Sequence, residues 1–152
     1  MRHADPARRA LLQALALAPV AAHAQTAPRL LTLAEMVEPL VGRVPLRTAG
    51  IRLELPQLAD NGHLVPARVV VDSPMTEADH VRRIVLLSQR NPVTRIATFH
   101  LGPWSGRAEI ATRIRLAGTQ MVVALALMST GEVRLAQAEV VVTESACLDM
   151  GS

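Results

Sequence analysis

The chain of 152 residues has one cysteine, Cys147, one phenylalanine, one tryptophan, no tyrosine and no lysine. Each shortage excludes something. A lone cysteine has no partner for an internal disulfide, so no covalent staple holds the fold. Without an amine side chain, Schiff-base chemistry and lysine-assisted catalysis are closed. Phe99 and Trp104 alone cannot supply the platform on which single-stranded bases stack, so a single-strand nucleic-acid role is disfavoured. The core must instead be built from Val, Leu, Ile and Ala. No apolar run reaches the roughly 20 residues that span a bilayer. No two histidines have metal-ligand spacing, Ser73 lacks the G-x-S-x-G setting of a hydrolase nucleophile, and no acid–base pair stands out.

The opening residues read as an address rather than as fold. Met1 to Arg9 carries Arg2, Arg8 and Arg9 against Asp5. Ala10 to Ala22 is apolar but too short for a membrane span, and Ala22-His23-Ala24 offers a small-x-small cleavage site. The expectation is an export signal over residues 1–24, cleaved before Gln25. Arg8-Arg9 followed by Ala10-Leu11-Leu12 resembles a degenerate twin-arginine (Tat) signal; the alternative is an ordinary Sec signal with two incidental arginines. Either route leads to the periplasm. The full-chain charge is +3, and the three arginines and one aspartate of the signal leave roughly +1, so the high pI is no nucleic-acid footprint. About 128 residues remain, enough for one domain with a sizeable core.

Thr32-Leu33-Ala34-Glu35 fits a capping box, and Leu33, Met36, Val37 and Leu40 recur at helical spacing, so a short amphipathic helix is expected from about Leu33 to Val41, stopped by Gly42. Beyond Arg43 the apolar period changes to two. Ile51, Leu53 and Leu55 alternate with Arg52 and Glu54, and Pro56 with the turn Asp60-Asn61-Gly62 closes the strand. Strands are then expected over Val65–Asp72, Val81–Ser88, Arg95–Leu101, Ala108–Leu116, Thr119–Met128 and Val133–Thr143. In Ala108–Leu116, Ala108, Ile110, Thr112, Ile114 and Leu116 share one face, and Glu109, Arg113 and Arg115 the other. About seven strands at this spacing make an all-β, immunoglobulin-like antiparallel β-sandwich. The expected organisation is an N-terminal segment with the short helix over 25–49, the sandwich over 50–143, and a flexible C-terminal arm over 144–152 bearing Cys147.

The segments Asp60-Asn61-Gly62 with Val65-Pro66, Val71-Asp72-Ser73-Pro74-Met75-Thr76, Ala97-Thr98-Phe99-His100, Pro103 with Ser105-Gly106-Arg107, and Thr112-Arg113-Ile114-Arg115-Leu116-Ala117 with Thr119-Gln120 resemble, in order and spacing, the SoxY sulfur carriers of bacterial thiosulfate oxidation. Val122-Val123-Ala124 and Met128-Ser129 continue the likeness, which runs from about Ile51 to Cys147. The resemblance implies a periplasmic carrier, not an enzyme, with an immunoglobulin-like fold. It implies a heterodimer with a SoxZ-like subunit and transient contacts with SoxAX, which couples thiosulfate oxidatively to the carrier thiol, SoxB, which releases the terminal sulfonate as sulfate, and SoxCD, which oxidises the remaining sulfane sulfur. Cys147 matches the position of the carrier cysteine. The only bound group implied is a covalent sulfur intermediate on that residue, with no further cofactor, no metal, no nucleic acid and no membrane.

The tail departs from the family. The family pattern is Gly-Gly-Cys-Gly-Gly, whereas here Ser145-Ala146 precede the thiol and Leu148-Asp149-Met150-Gly151-Ser152 follow it. Glycine keeps an arm thin and pliable; Leu148 and Met150 are bulkier. Asp149 places negative charge near the sulfur, which disfavours thiolate and repels an anionic substrate. Two alternatives stay open: a SoxYZ-like carrier serving another periplasmic dehydrogenase, and a non-catalytic binding module with an incidental thiol. Other residues have plainer roles. Asp72 is expected to cap its turn with backbone bonds, Arg113 and Arg115 to form a solvated basic stripe, His100 to be a half-buried strand residue, and Trp104 to anchor an interface; Phe99 fits an interface or the core equally.

Overall fold

Thr32 does what its spacing to Glu35 predicts. Its hydroxyl accepts from the Glu35 N–H at 3.3 Å while the Glu35 carboxylate accepts from the Thr32 N–H at 2.7 Å. This starts helix α1 (Leu33–Val41), and Gly42, at φ +70°, ends it with a bond to the Glu38 carbonyl. The computed structural model describes residues 29–144. The expected signal segment and the arm with Cys147 lie outside the described residues. Among the described residues no helix is long and apolar enough to cross a membrane.

After α1 come strands β1 (Leu46–Arg47), β2 (Ile51–Glu54), β3 (Leu58–Asn61), β4 (Val65–Val71), β5 (Val81–Ser88) and β6 (Arg95–His100). A 3-10 turn over Pro103–Ser105 leads to β7 (Glu109–Ile114), β8 (Gln120–Met128) and β9 (Val133–Glu144). One sheet has the order β1-β9-β8-β5-β6, with β3 also paired to β9; the other is β2-β4-β7. The all-β sandwich and all seven expected strands are present. Two strands were not expected, and both pair parallel to β9: Leu46↔Val133 in β1 and Leu58↔Val141 in β3. The sandwich is therefore antiparallel in its main ladders but not throughout.

Period-two patterning decides which side chains meet. In β4, Val65, Ala67, Val69 and Val71 are buried and face Ile84, Leu86, Val122 and Ala124 of the larger sheet. The alternation in β7 behaves as its sequence says: Ile114 is buried while Arg113 and Arg115 point to solvent. β8 is apolar on both faces because it is covered twice. Val122, Ala124 and Ala126 enter the core between the sheets. Val123 and Leu125 pack under α1 with Met36, Val37, Val85 and Leu87. Each such fully buried Leu or Ile contributes about 1.5–3 kcal/mol of transfer free energy. Pro39 interrupts the hydrogen bonding of α1, so packing on the sheet rather than propensity holds this helix.

Met75 is the one non-glycine residue with positive φ among those described, at +53°. The left-handed conformation costs roughly 1–2 kcal/mol; burying the Met75 side chain in the main core offsets it.

Candidate functional site

The sequence singles out Cys147, which lies outside the described residues. What the structure shows is the ground from which it extends. β9 stays hydrogen-bonded to its last residue. On one edge β3 pairs with it up to Asn61↔Glu144, and the Gly62 N–H donates to the Glu144 carbonyl at 2.9 Å. The Thr143 hydroxyl donates to the Asp60 carbonyl at 2.6 Å. On the other edge the Thr119 hydroxyl accepts from the Val142 N–H at 3.0 Å. Val142 is buried and Val140 fully so. Only Ser145 and Ala146 then separate Glu144 from the thiol in sequence, a reach of roughly 10 Å if extended.

The loops around this end are tied together by a buried polar cluster. Ser88 and Gln120, both at or near zero exposure, bond to each other side chain to side chain. The Gln120 oxygen accepts from the Arg90 N–H at 3.0 Å, and its amide nitrogen donates to Asn91 Oδ1 at 3.1 Å and to the Gly118 carbonyl at 3.1 Å. Asn91 donates to the Arg115 carbonyl at 2.7 Å and accepts from the Ala117 N–H at 2.9 Å. This joins the β5–β6 loop to the β7–β8 loop, and Leu116 N–H to Gly62 carbonyl joins both to the β3–β4 turn. No buried side-chain polar atom among the described residues lacks a partner. A cluster with every group satisfied rigidifies its surroundings. Its members were missed from sequence because Ser88, Asn91 and Gln120 carry no common spacing.

The remaining candidates do not converge. Among the described residues no three His, Asp, Glu or Cys side chains gather to hold a metal. His63 sits in the turn before β4, where its N–H donates to Asn61 Oδ1. His80 precedes β5, bonded to the Thr76 carbonyl at 2.9 Å. His100 ends β6 and is exposed, not half-buried as expected, because it is the last residue of an edge strand. Phe99 packs against the main core. Trp104 is 86 % exposed. Asp72 does not cap its turn as expected. Its carboxylate faces Arg52 at 3.5 Å, and the Ser73 hydroxyl instead accepts from the Met75 N–H.

The comparisons with known proteins agree with this geometry. The model of the family described as "Sulfur oxidation protein SoxY" matches residues 38–147. The solved structure of the sulfur carrier protein SoxY from Chlorobium limicola f thiosulfatophilum is similar at 26% identity and TM-score 0.60, covering 73% of this chain and 96% of that one. A superoxide reductase (neelaredoxin) from Ignicoccus hospitalis is similar at 18% identity and TM-score 0.55, covering 62% of this chain and 81% of that one. A putative superoxide reductase from Thermotoga maritima is similar at 19% identity and TM-score 0.54, covering 62% of this chain and 86% of that one. The last two share the fold. No curated protein matches. With the family model spanning well over half of the sequence, on an all-β sandwich like that of the Chlorobium carrier, the chain belongs to the SoxY family, the carrier component of sulfur oxidation.

Proposed function

We propose that this protein works in the periplasm as a carrier that holds thiosulfate-derived sulfur covalently on Cys147 and presents it to partner enzymes. The observation that supports the reading most is the fixed end of β9 at Glu144, with the chain's single cysteine three residues beyond it. A thiol tethered so closely to a rigid body has a defined origin and a short reach. An enzyme that grips the body therefore meets the sulfur at high local concentration.

The chemistry balances as follows. The Cys147 thiolate and thiosulfate form an S–S bond, and two electrons leave to a heme partner of the SoxAX type. Water then cleaves the bond to the terminal sulfonate in a SoxB-type step, releasing sulfate and two protons and leaving a persulfide anion on Cys147. A SoxCD-type enzyme oxidises the outer sulfur further. A free cysteine titrates near about pH 8.5, so only a small share is thiolate at neutrality. No histidine or lysine adjoins Cys147 in sequence to change that. A carrier tolerates this because the visiting enzyme supplies the activation. A SoxZ-like subunit is the heterodimer partner in this reading.

The tail favours one variation. Ser145-Ala146 and Leu148-Asp149 stand where the family has glycines, and the bulk of Leu148 suits a wider enzyme channel and a carrier that serves another periplasmic dehydrogenase. Complementation decides between carrier and binding module. Cys147→Ser is expected to abolish sulfur oxidation in cells lacking the native chain, while full activity of that variant contradicts covalent carriage.

A further inference from the structure

α1 does not cover the whole face of the larger sheet on which it lies. Its apolar side rests on Val85, Leu87, Val123, Leu125, Val133 and Leu135, with Leu127 half-buried at the margin, and Gly42 stops it before Arg83 and His100. The ladders place a row of side chains across four strands: Val133 opposite Leu127, Leu127 opposite Arg83, and Arg83 opposite His100. Alternation along β5 puts Arg83 on the same face as Val85 and Leu87. The row lies along a groove of about 340 Å³, lined also by Leu40 and Val41 at the end of α1 and by Arg82.

Two properties of this groove point to one class of ligand. The first is charge. Among the described residues neither Arg82 nor Arg83 has a carboxylate within ion-pair distance, although Arg83 is half-buried. The carboxylate that does line the groove, Glu132, is already engaged by Arg134 at 2.5 Å and Arg47 at 3.4 Å. The second is an apolar floor beside the cations, made by the half-buried Leu127, Leu40 and Val41. An inorganic oxyanion would satisfy the arginines and leave that floor wet, whereas a peptide can satisfy both.

The adjoining turn adds an anchor. The Leu101 N–H donates to the Arg82 carbonyl at 3.0 Å, so the turn that carries Trp104 begins beside Arg82. The Trp104 ring lies over Gly102, where a Cβ would fall 2.3 Å from it; glycine is what lets the ring sit there. An exposed tryptophan next to arginines has the composition of an interface hot spot. The site is also far from the cargo. The eleven steps along β9 from Val133 to Glu144 span about 36 Å at 3.3 Å per residue.

We propose that this groove docks an extended acidic segment of a partner protein, with one carboxylate on Arg83 and His100, another on Arg82, an apolar side chain on Leu127 and Leu40, and Trp104 packed at the margin. The proposal rests on the carrier reading for its purpose: a partner held here leaves the Glu144 end free for visiting enzymes. It is tested separately from that reading, because docking makes no use of Cys147. Trp104 is the only tryptophan; calorimetry reads binding to the groove, and a change in Trp104 fluorescence shows that the ligand also reaches the turn after β6. A capped peptide of alternating glutamate and leucine is the probe, with its glutamine–leucine counterpart and sodium sulfate as controls. The expected result is saturable binding of the acidic peptide that weakens with salt. Arg83→Gln and Arg82→Gln should each weaken it about tenfold, as loss of a charge-assisted bond implies. Arg113→Gln, on the outer face of the other sheet, and Cys147→Ser should leave it unchanged. No binding, equally tight binding of the glutamine peptide, wild-type affinity in both arginine variants, or displacement by sulfate at peptide concentrations would each overturn the proposal.

Discussion

The two ends of β9 are held by different chemistry. At Val133–Arg134 the strand pairs with only two residues of β1, and the guanidinium of Arg134 does much of the holding. Its Nη1 donates to the Asp72 carbonyl at 2.5 Å, and its Nε pairs with Glu132. Gly50 makes room for it, since a Cβ there would meet Nη1 at 2.8 Å. At Val141–Glu144 the bonds come from β3, from threonine hydroxyls and from the backbone of Gln57 and Gly62, with the neutral Ser88–Gln120–Asn91 cluster tying the neighbouring loops. Charge thus secures the end with the groove, and neutral hydrogen bonds secure the end from which the cysteine extends. Neutral bonds are insensitive to salt and to mild pH change, so the position of this end does not drift with either.

Substitutions can break or sharpen that contrast. Leu125→Ala empties the space under α1 midway between the ends; it should cost about 2–5 kcal/mol and lower protection from hydrogen exchange at both ends together. Gln120→Ala strips partners from the buried Ser88 hydroxyl and the Arg90 N–H, so it should cost about 1–3 kcal/mol. Its exchange footprint should centre on the β5–β6 and β7–β8 loops. Thr119→Val removes the hydroxyl that binds Val142 and should cost about 1 kcal/mol, with faster exchange at Val142 and no change at Val133. The smallest effect is at the charged end. A hydrogen bond from Arg134 holds the Glu132 carboxyl below the usual carboxylate range. A lowered folded-state pKa stabilises above the unfolded value and loses that contribution as pH falls through the folded one. Wild-type melting temperature should therefore fall more between neutral and strongly acidic pH than that of Glu132→Gln.

Local signals were legible in the sequence and long-range ones were not. The capping box at Thr32 and Glu35 and the stop at Gly42 define α1 because every contact involved lies within a few residues. The long strands announce themselves through alternation or through unbroken apolar runs such as Met121–Met128. β1 and β3 are invisible for a physical reason. Two residues carry no period, and Leu58–Asn61 ends in Asp60-Asn61-Gly62, which is turn chemistry read alone. Only pairing with a strand some eighty residues away makes it extended. The cysteine stands out by being single, and the neighbouring motifs identify the family. The groove could not be read, because Arg83, His100, Leu127 and Val133 become neighbours only through three strand registers.

The central claim is that Cys147 holds cargo within a short reach of a rigid body. Peptide mass mapping of the protein isolated from cells oxidising thiosulfate tests it most directly. The account predicts sulfur adducts on the peptide that contains Cys147, gone once the substrate is exhausted; a peptide found unmodified throughout turnover would contradict it.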